Sequence, residues 1–348
     1  MKQGIVTLII YFYIFVCSVF LLFNIIYIFY DKYVEKRHQR YVEHFKKYIY
    51  EAVRSDNLKH ERFIKRELRD FQKLYSYYYA LKDCDDIRNQ YLVKYHISVV
   101  ELFKYYIKRD NIEQAFIANM IDELFGDCRD TYRELPVILI HYLDDSTVYV
   151  RENVLKALCT LGSVKGIEML FNVFNERHIT HNTKLLSDGL NSFNGDKRDM
   201  AYRLFTHYDE YEGELNISII NFMSTIGNEF SDELIRVFDK SDNECKHAIM
   251  RYFRKYPDER FRDIMIDILN HNDNLSITAA FALGTYHDLT VKNALKKSLK
   301  SPNWYIRKNS AEALLQIGLD DDEITKLKNN EDKYASEIFN YVLESKVN

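Results

Sequence analysis

The residues that could do chemistry are few and scattered. His178 and His181, in His-Ile-Thr-His, stand three apart and could share a metal ion if helical, but no third ligand falls near them. They read instead as part of a turn between helices. The run Asp320-Asp321-Asp322-Glu323 could attract a cation. Its ordinary role is to cap a helix and set negative charge at the positive end of the helix dipole. Asp144-Asp145 reads the same way. The five cysteines, Cys17, Cys84, Cys128, Cys159 and Cys245, lie far apart with no Cys-x-x-Cys, so they suggest neither a zinc site nor a redox pair. Dispersed thiols suit a reducing compartment, and Cys159 and Cys245 fall at or beside buried helix positions. Patterns of the types HExxH, GxSxG, Walker and GxGxxG are absent. No acid, base or nucleophile stands out, and no metal or cofactor is expected.

The elements that would position any site are helical. Ten glycines and three prolines in 348 residues leave little for tight turns, while 47 % hydrophobic and 15 % aromatic residues supply a large core. An all-α chain of long helices and short connections is expected. Net charge is −4, but Lys32 to Arg69 carries +6, so the chain beyond Arg69 holds −10. An acidic body is a poor match for duplex DNA, and no nucleic-acid partner is expected.

Ile5 to Tyr30 contains no charge. As a helix it would be about 39 Å long, enough to cross a ~30 Å hydrocarbon core with some tilt. It is longer than the apolar region of a signal peptide and lacks a small-residue cleavage site. One side-chain cation, Lys2, precedes it, whereas Lys32, Lys36, Arg37 and Arg40 follow within nine residues. The positive-inside rule then puts the C-terminal side in the cytoplasm. The same four cations are candidate contacts for anionic lipid headgroups.

Val34 to Val53 reads as the same helix continuing. Ser55-Asp56-Asn57 breaks it and caps the next, where Ile64, Leu68, Phe71, Tyr75 and Tyr78 recur with helical spacing. Within that helix, Tyr75 to Tyr79 reads as a packed face rather than a ligand-stacking box. Asp83 to Asp86 caps a third long helix running to about Lys108, and a short one follows over Ile112 to Phe125.

From about residue 130 the chain is self-similar. Val150-Arg151-Glu152-Asn153 through Leu161-Gly162 aligns without a gap on Ile306-Arg307-Lys308-Asn309 through Ile317-Gly318. Each follows an apolar helix and a short polar linker. With Gly162 as a mark, equivalents fall at Asn194, Gly227, Pro257, His287 and Gly318, at spacings of 32, 33, 30, 30 and 31. Residues one and four before each mark are all apolar or aromatic, which places them on one helical face. An apolar helix, an Asp-containing turn, Val-Arg and an Ala-Leu-Gly-like second helix resemble the HEAT-repeat family, in its short bacterial form related to bilin-lyase repeats. The resemblance implies a right-handed α-α superhelical solenoid of about six repeats over 130–330. Residues 1–31 then form a transmembrane anchor, 32–129 a helical juxtamembrane or capping region, and 331–348 a C-terminal capping helix. A fragment beginning near Asp86 is expected to fold without the anchor.

In that family the second helices line the concave face. Positions nine, six and two before each mark would then form a partner-binding ridge, whose candidates are Asn153, Lys156, Thr160, Asp188, Asn221, Arg251, Lys255, Phe281, Glu312 and Gln316. The expected function is a membrane-tethered cytoplasmic adaptor that binds a protein partner and is not an enzyme. The alternatives are a HEAT-like enzyme or ligand binder, bilin-lyase-like or base-excision-like, and an extracellular surface adhesin.

Overall fold

The computed structural model describes residues 2–55, 58–271 and 273–347, and every regular element among them is helical. By contacts the chain divides into two compact units, Met1–Leu161 and Gly162–Asn348. The first holds α1 (Lys2–Arg54), α2 (Leu58–Arg66), α3 (Phe71–Asp83), α4 (Asp85–Lys94), α5 (His96–Tyr106), α6 (Asn111–Leu124), α7 (Leu135–His141) and α8 (Val148–Thr160). The second begins with α9 (Val164–Glu176), α10 (Thr183–Leu190), α11 (Lys197–Thr206), α12 (Gly213–Ile226), α13 (Ser231–Phe238) and α14 (Asn243–Lys255). It ends with α15 (Glu259–His271), α16 (Asn274–Leu283), α17 (Leu289–Ser298), α18 (Trp304–Ile317), α19 (Asp321–Lys328) and α20 (Lys333–Val347).

Helix α1 is continuous over 53 residues, or about 80 Å. Apart from half-buried Val16, its large apolar side chains from Tyr11 to Tyr30 are 42–70 % exposed. That segment is long and apolar enough to cross a membrane. Two of its polar side chains are satisfied within the helix: Ser18 donates to the Ile14 carbonyl at 2.8 Å and Asn24 to that of Phe20 at 2.9 Å. Farther along, the same helix turns an apolar stripe inward, burying Phe45, Ile49 and Ala52.

Two of the long helices expected near the start are each divided. Asp70 accepts from the backbone N–H groups of Gln72 and Lys73, so it starts α3 and leaves a 3₁₀ turn, Glu67–Arg69, between α2 and α3. The apolar stripe survives the break, with Ile64, Leu68 and Tyr78 buried. Likewise Tyr95 interrupts the third helix, giving α4 and α5. The cap expected at Asp56-Asn57 lies outside the described residues.

Tyrosine hydroxyls and asparagine amides tie several of the helices to helices of the preceding pair. In the first unit, Tyr106, Tyr132 and Tyr142 donate to the carbonyls of Leu68, Leu92 and Phe103 at 2.7–2.9 Å, across separations of 38, 40 and 39 residues. Asn153 reaches back to the Ala115 carbonyl across 38 residues. A period near 38 therefore extends over the region read from sequence as a capping region. In the second unit the ties are shorter. Tyr286 reaches the Phe253 carbonyl across 33 residues, Asn309 that of Ile277 across 32 and Tyr256 that of Ser224 across 32. Those separations match the spacing of the register marks. In contact order, α10 packs on α12, α12 on α14, α14 on α16, α16 on α18 and α18 on α20. α19 also packs on α20.

Candidate interaction surface

The second helix of each pair carries the register. Four residues before the marks, Leu158 in the first unit and Leu190, Met223, Phe253, Leu283 and Leu314 in the second are all buried. One residue before, Leu161, Phe193 and Tyr286 are buried, while Ile226, Tyr256 and Ile317 are half-buried. The marks Gly162 and Gly318 have φ of 63° and 92°, a left-handed backbone that ends a helix and favours glycine.

The three ridge rows differ in fate. The row nine before the mark is largely a seam between neighbouring second helices. Ser218 is fully buried and donates to the Glu214 carbonyl at 2.9 Å, and Ala248 is buried. Asn309 uses its amide on the Ile277 carbonyl at 2.8 Å, as Asn153 does on Ala115 at 3.1 Å in the first unit. Asn153 is thus a structural tie. The other two rows face outward. In the second unit Asp188, Arg251, Lys255 and Gln316 are exposed, while Asn221 and Glu312 are half-buried. Glu312 pairs with Lys308 at 3.1 Å. In the first unit Lys156 is exposed, and half-buried Thr160 donates to Asp122.

The basic spot on α14 is larger than its register positions suggest. Phe281 on α16 is 37 % exposed, and the Arg254 guanidinium lies 3.7 Å from its ring centroid, a close cation–π stack. Lys255 donates to the Ser224 carbonyl at 2.6 Å. Arg251, Arg254 and Lys255 thus crowd one helix beside an aromatic ring. Arg254 lies three before the mark, outside the rows chosen; its i,i+3 spacing from Arg251 was the available signal. Beside Lys255 a cleft of about 450 Å³ includes Glu229, Asp232, Asp258 and Arg260. Its charges are largely matched internally: Arg260 pairs with Asp232 and Asp258, each at 2.7 Å, and Arg198 with Glu229 at 2.6 Å. The Arg260 guanidinium holds the Asp258 carboxyl below the usual carboxylate range.

The other chemistry-bearing residues have structural surroundings. His178 is exposed and lies 2.5 Å from Glu212, whereas His181 is buried with its ring 5.7 Å from that of Phe174, so the two turn apart. Among the described residues no cluster of three or more His, Cys, Asp or Glu could hold a metal. Burial pushes the thiols of Cys84 and Cys128 up to about 11 and that of Cys245 to about 12, against nucleophilic use. Asp320 caps α19 in a reciprocal box with Glu323. In the collar, Lys32, Lys36 and Arg40 are exposed, and half-buried Arg37 bonds Gln72 with its guanidinium carbon 5.8 Å from the Tyr41 ring centroid.

No protein-family model matches the sequence, and no curated protein matches it. Among solved structures, a crystal structure of an engineered protein is similar at 14 % identity and a TM-score of 0.37, over 78 % of this chain and 85 % of that one. At that distance it carries no argument about fold or function.

Proposed function

We propose that this protein is a membrane-tethered scaffold whose body is a HEAT-like helical solenoid, and that it binds a protein partner through the second-helix face of its second unit. One observation carries the reading: Arg251, Lys255 and Phe281 on the outward register rows of adjacent second helices, with Arg254 stacked on the Phe281 ring, form a basic–aromatic patch. Arginine and aromatic side chains are the types that dominate binding hot spots. The uncovered apolar length of α1 supports the tether, and the four collar cations support a cytoplasmic body. The raised thiols and internally matched carboxylates favour a binding role over catalysis.

The experiment is a crosslinking pull-down from membranes with the full chain as bait. The double variant Arg251→Glu, Lys255→Glu should lose the partners that the wild type captures while keeping its helicity, because exposed substitutions usually shift stability by no more than about 0.5 kcal/mol. Equal recovery by wild type and variant would move the binding site off this patch.

A further inference from the structure

Three cations leave one turn of α14 in different directions. Lys255 turns back to α12, where its ammonium donates to the Ser224 carbonyl at 2.6 Å. That carbonyl belongs to the last turn of α12, the negative end of the helix dipole, and it also accepts from the Tyr256 hydroxyl at 3.1 Å. Arg254 turns forward to α16, where its guanidinium carbon stands 3.7 Å from the Phe281 ring centroid. Arg251, exposed, stands on the face between them. Helices α12, α14 and α16 are consecutive neighbours. Packed helices lie about 8–10 Å apart, so the cations form a band of up to about 20 Å that crosses three helices rather than following one.

The charges of this band are unmatched. Among the described residues Arg251 and Arg254 have no ion-pair or hydrogen-bond partner, and the Arg254 Nε is buried without one. By contrast, on α15 Arg260 pairs with Asp232 and Asp258 at 2.7 Å each, and Arg262 with Asp263 at 2.9 Å. The positions three and four residues from Arg251 hold His247, Ala248, Arg254 and Lys255, so no carboxylate can reach it along α14. A guanidinium stacked on an aromatic ring is held in one orientation, ready to take a carboxylate by two parallel N–H···O bonds. On α12, half-buried Asn221 offers an amide that can both donate to and accept from a peptide backbone. The chain beyond Arg69 carries −10, so a long polyanion would be repelled on either side of the band, whereas a short segment would not. An extended peptide advances about 3.3 Å per residue and turns alternate side chains to one face. Carboxylates two residues apart then fall about 7 Å apart, and roughly six residues cover the band.

We propose that the partner docks through a short extended segment with acidic residues at alternate positions, lying across α12, α14 and α16. One carboxylate meets Arg254 and another falls between Arg251 and Lys255. The inference rests on the scaffold reading above, and two measurements keep their failures apart. In the first, a fluorescent peptide of four Glu-Ser repeats is titrated against the full chain in phosphatidylcholine nanodiscs and read by anisotropy. It should bind, and its Gln-Ser counterpart should not. Arg251→Gln and Arg254→Gln should each weaken binding about tenfold, the ordinary loss for a charge-assisted hydrogen bond, with circular dichroism unchanged. Arg254→Lys, which keeps the charge but not the stacked fork, should weaken it too. The triple variant Lys32→Gln, Lys36→Gln, Arg40→Gln should bind as the wild type does. In the second, excess Glu-Ser peptide is added to the membrane pull-down and should displace the partners that Arg251→Glu, Lys255→Glu loses. Absence of Glu-Ser binding, binding that the α14 variants leave intact, or tighter binding of a uridylate oligomer of equal charge would overturn the acidic segment. Partners that stay bound in excess peptide yet are lost from the double variant would overturn it while leaving the scaffold standing. Equal recovery of partners by wild type and double variant would overturn the scaffold reading itself.

Discussion

Single side chains decide how the pairs are joined. Tyr286 donates to the Phe253 carbonyl at 3.2 Å and accepts from the Asp258 N–H at 3.1 Å; Tyr252 does the same between Gly227 and Phe230, at 3.0 and 3.2 Å. Both bridge a turn of one pair to the helix of another. Tyr286→Phe leaves two buried backbone groups unmatched and should cost about 1–3 kcal/mol in chemical denaturation. Burial pushes the hydroxyls of Tyr252 and Tyr286 up to about 12, above an unfolded value near 10. The unfolded chain therefore releases these protons first. Their contribution is complete below pH ~10 and is lost as pH rises through about 12, so melting temperature should fall over that window and less so in the double Phe variant. Glu323 has the opposite sign. Lys296 at 2.6 Å and the Asp320 N–H hold its carboxyl down to about 2. Its contribution is present above pH ~4.5 and fades as pH falls through about 2, which Glu323→Gln should abolish. The sequence shows tyrosine richness but not its purpose, because a hydroxyl's partner some 25 to 40 residues away leaves no local pattern.

At the scale of elements, the position four before each mark is the most legible feature: its six residues are buried at every repeat. Leu283→Asp would place an unpaired charge among them and should cost more than about 4 kcal/mol, beyond the ordinary range for one substitution. Loss of cooperative melting in that variant, with retention in Arg251→Glu, would show that the two rows do different things. The row nine before the mark was less legible. It lies on the flank of the helix, where the distance to the next helix decides between solvent and seam, and sequence spacing does not encode that distance. Helix breaks at Asp70 and Tyr95 were missed for a related reason: the apolar period runs through them, and the strong cap at Asp70 overrides it locally. The 38-residue period of the first unit is not legible in the sequence, since the tyrosine and asparagine ties that mark it recur without a shared Val-Arg or terminal glycine.

For the whole molecule, the structure redraws where the chain can be cut. A start near Asp86 would remove α3 and the buried Phe45, Ile49 and Ala52 of α1, stripping the core from under α4. Such a fragment should aggregate, whereas one beginning at Lys32 keeps that core and should stay soluble and helical, as sedimentation and circular dichroism would show. The apolar run and the basic collar were fully legible, because hydropathy and charge need no tertiary context. The partner-facing surface was legible only as a register, since exposure depends on packing. Central to the account is a body held on the cytoplasmic side of a membrane, and the cysteines make this directly measurable. Cys84, Cys128, Cys159 and Cys245 are buried, and Cys17 lies within the apolar run. A Lys300→Cys variant therefore adds one exposed thiol on the second unit. With a membrane-impermeant maleimide, that variant should stay unlabelled in intact cells and become labelled once the membrane is opened, with the wild type dark in both. Labelling of Lys300→Cys in intact cells would place the body outside and contradict the account.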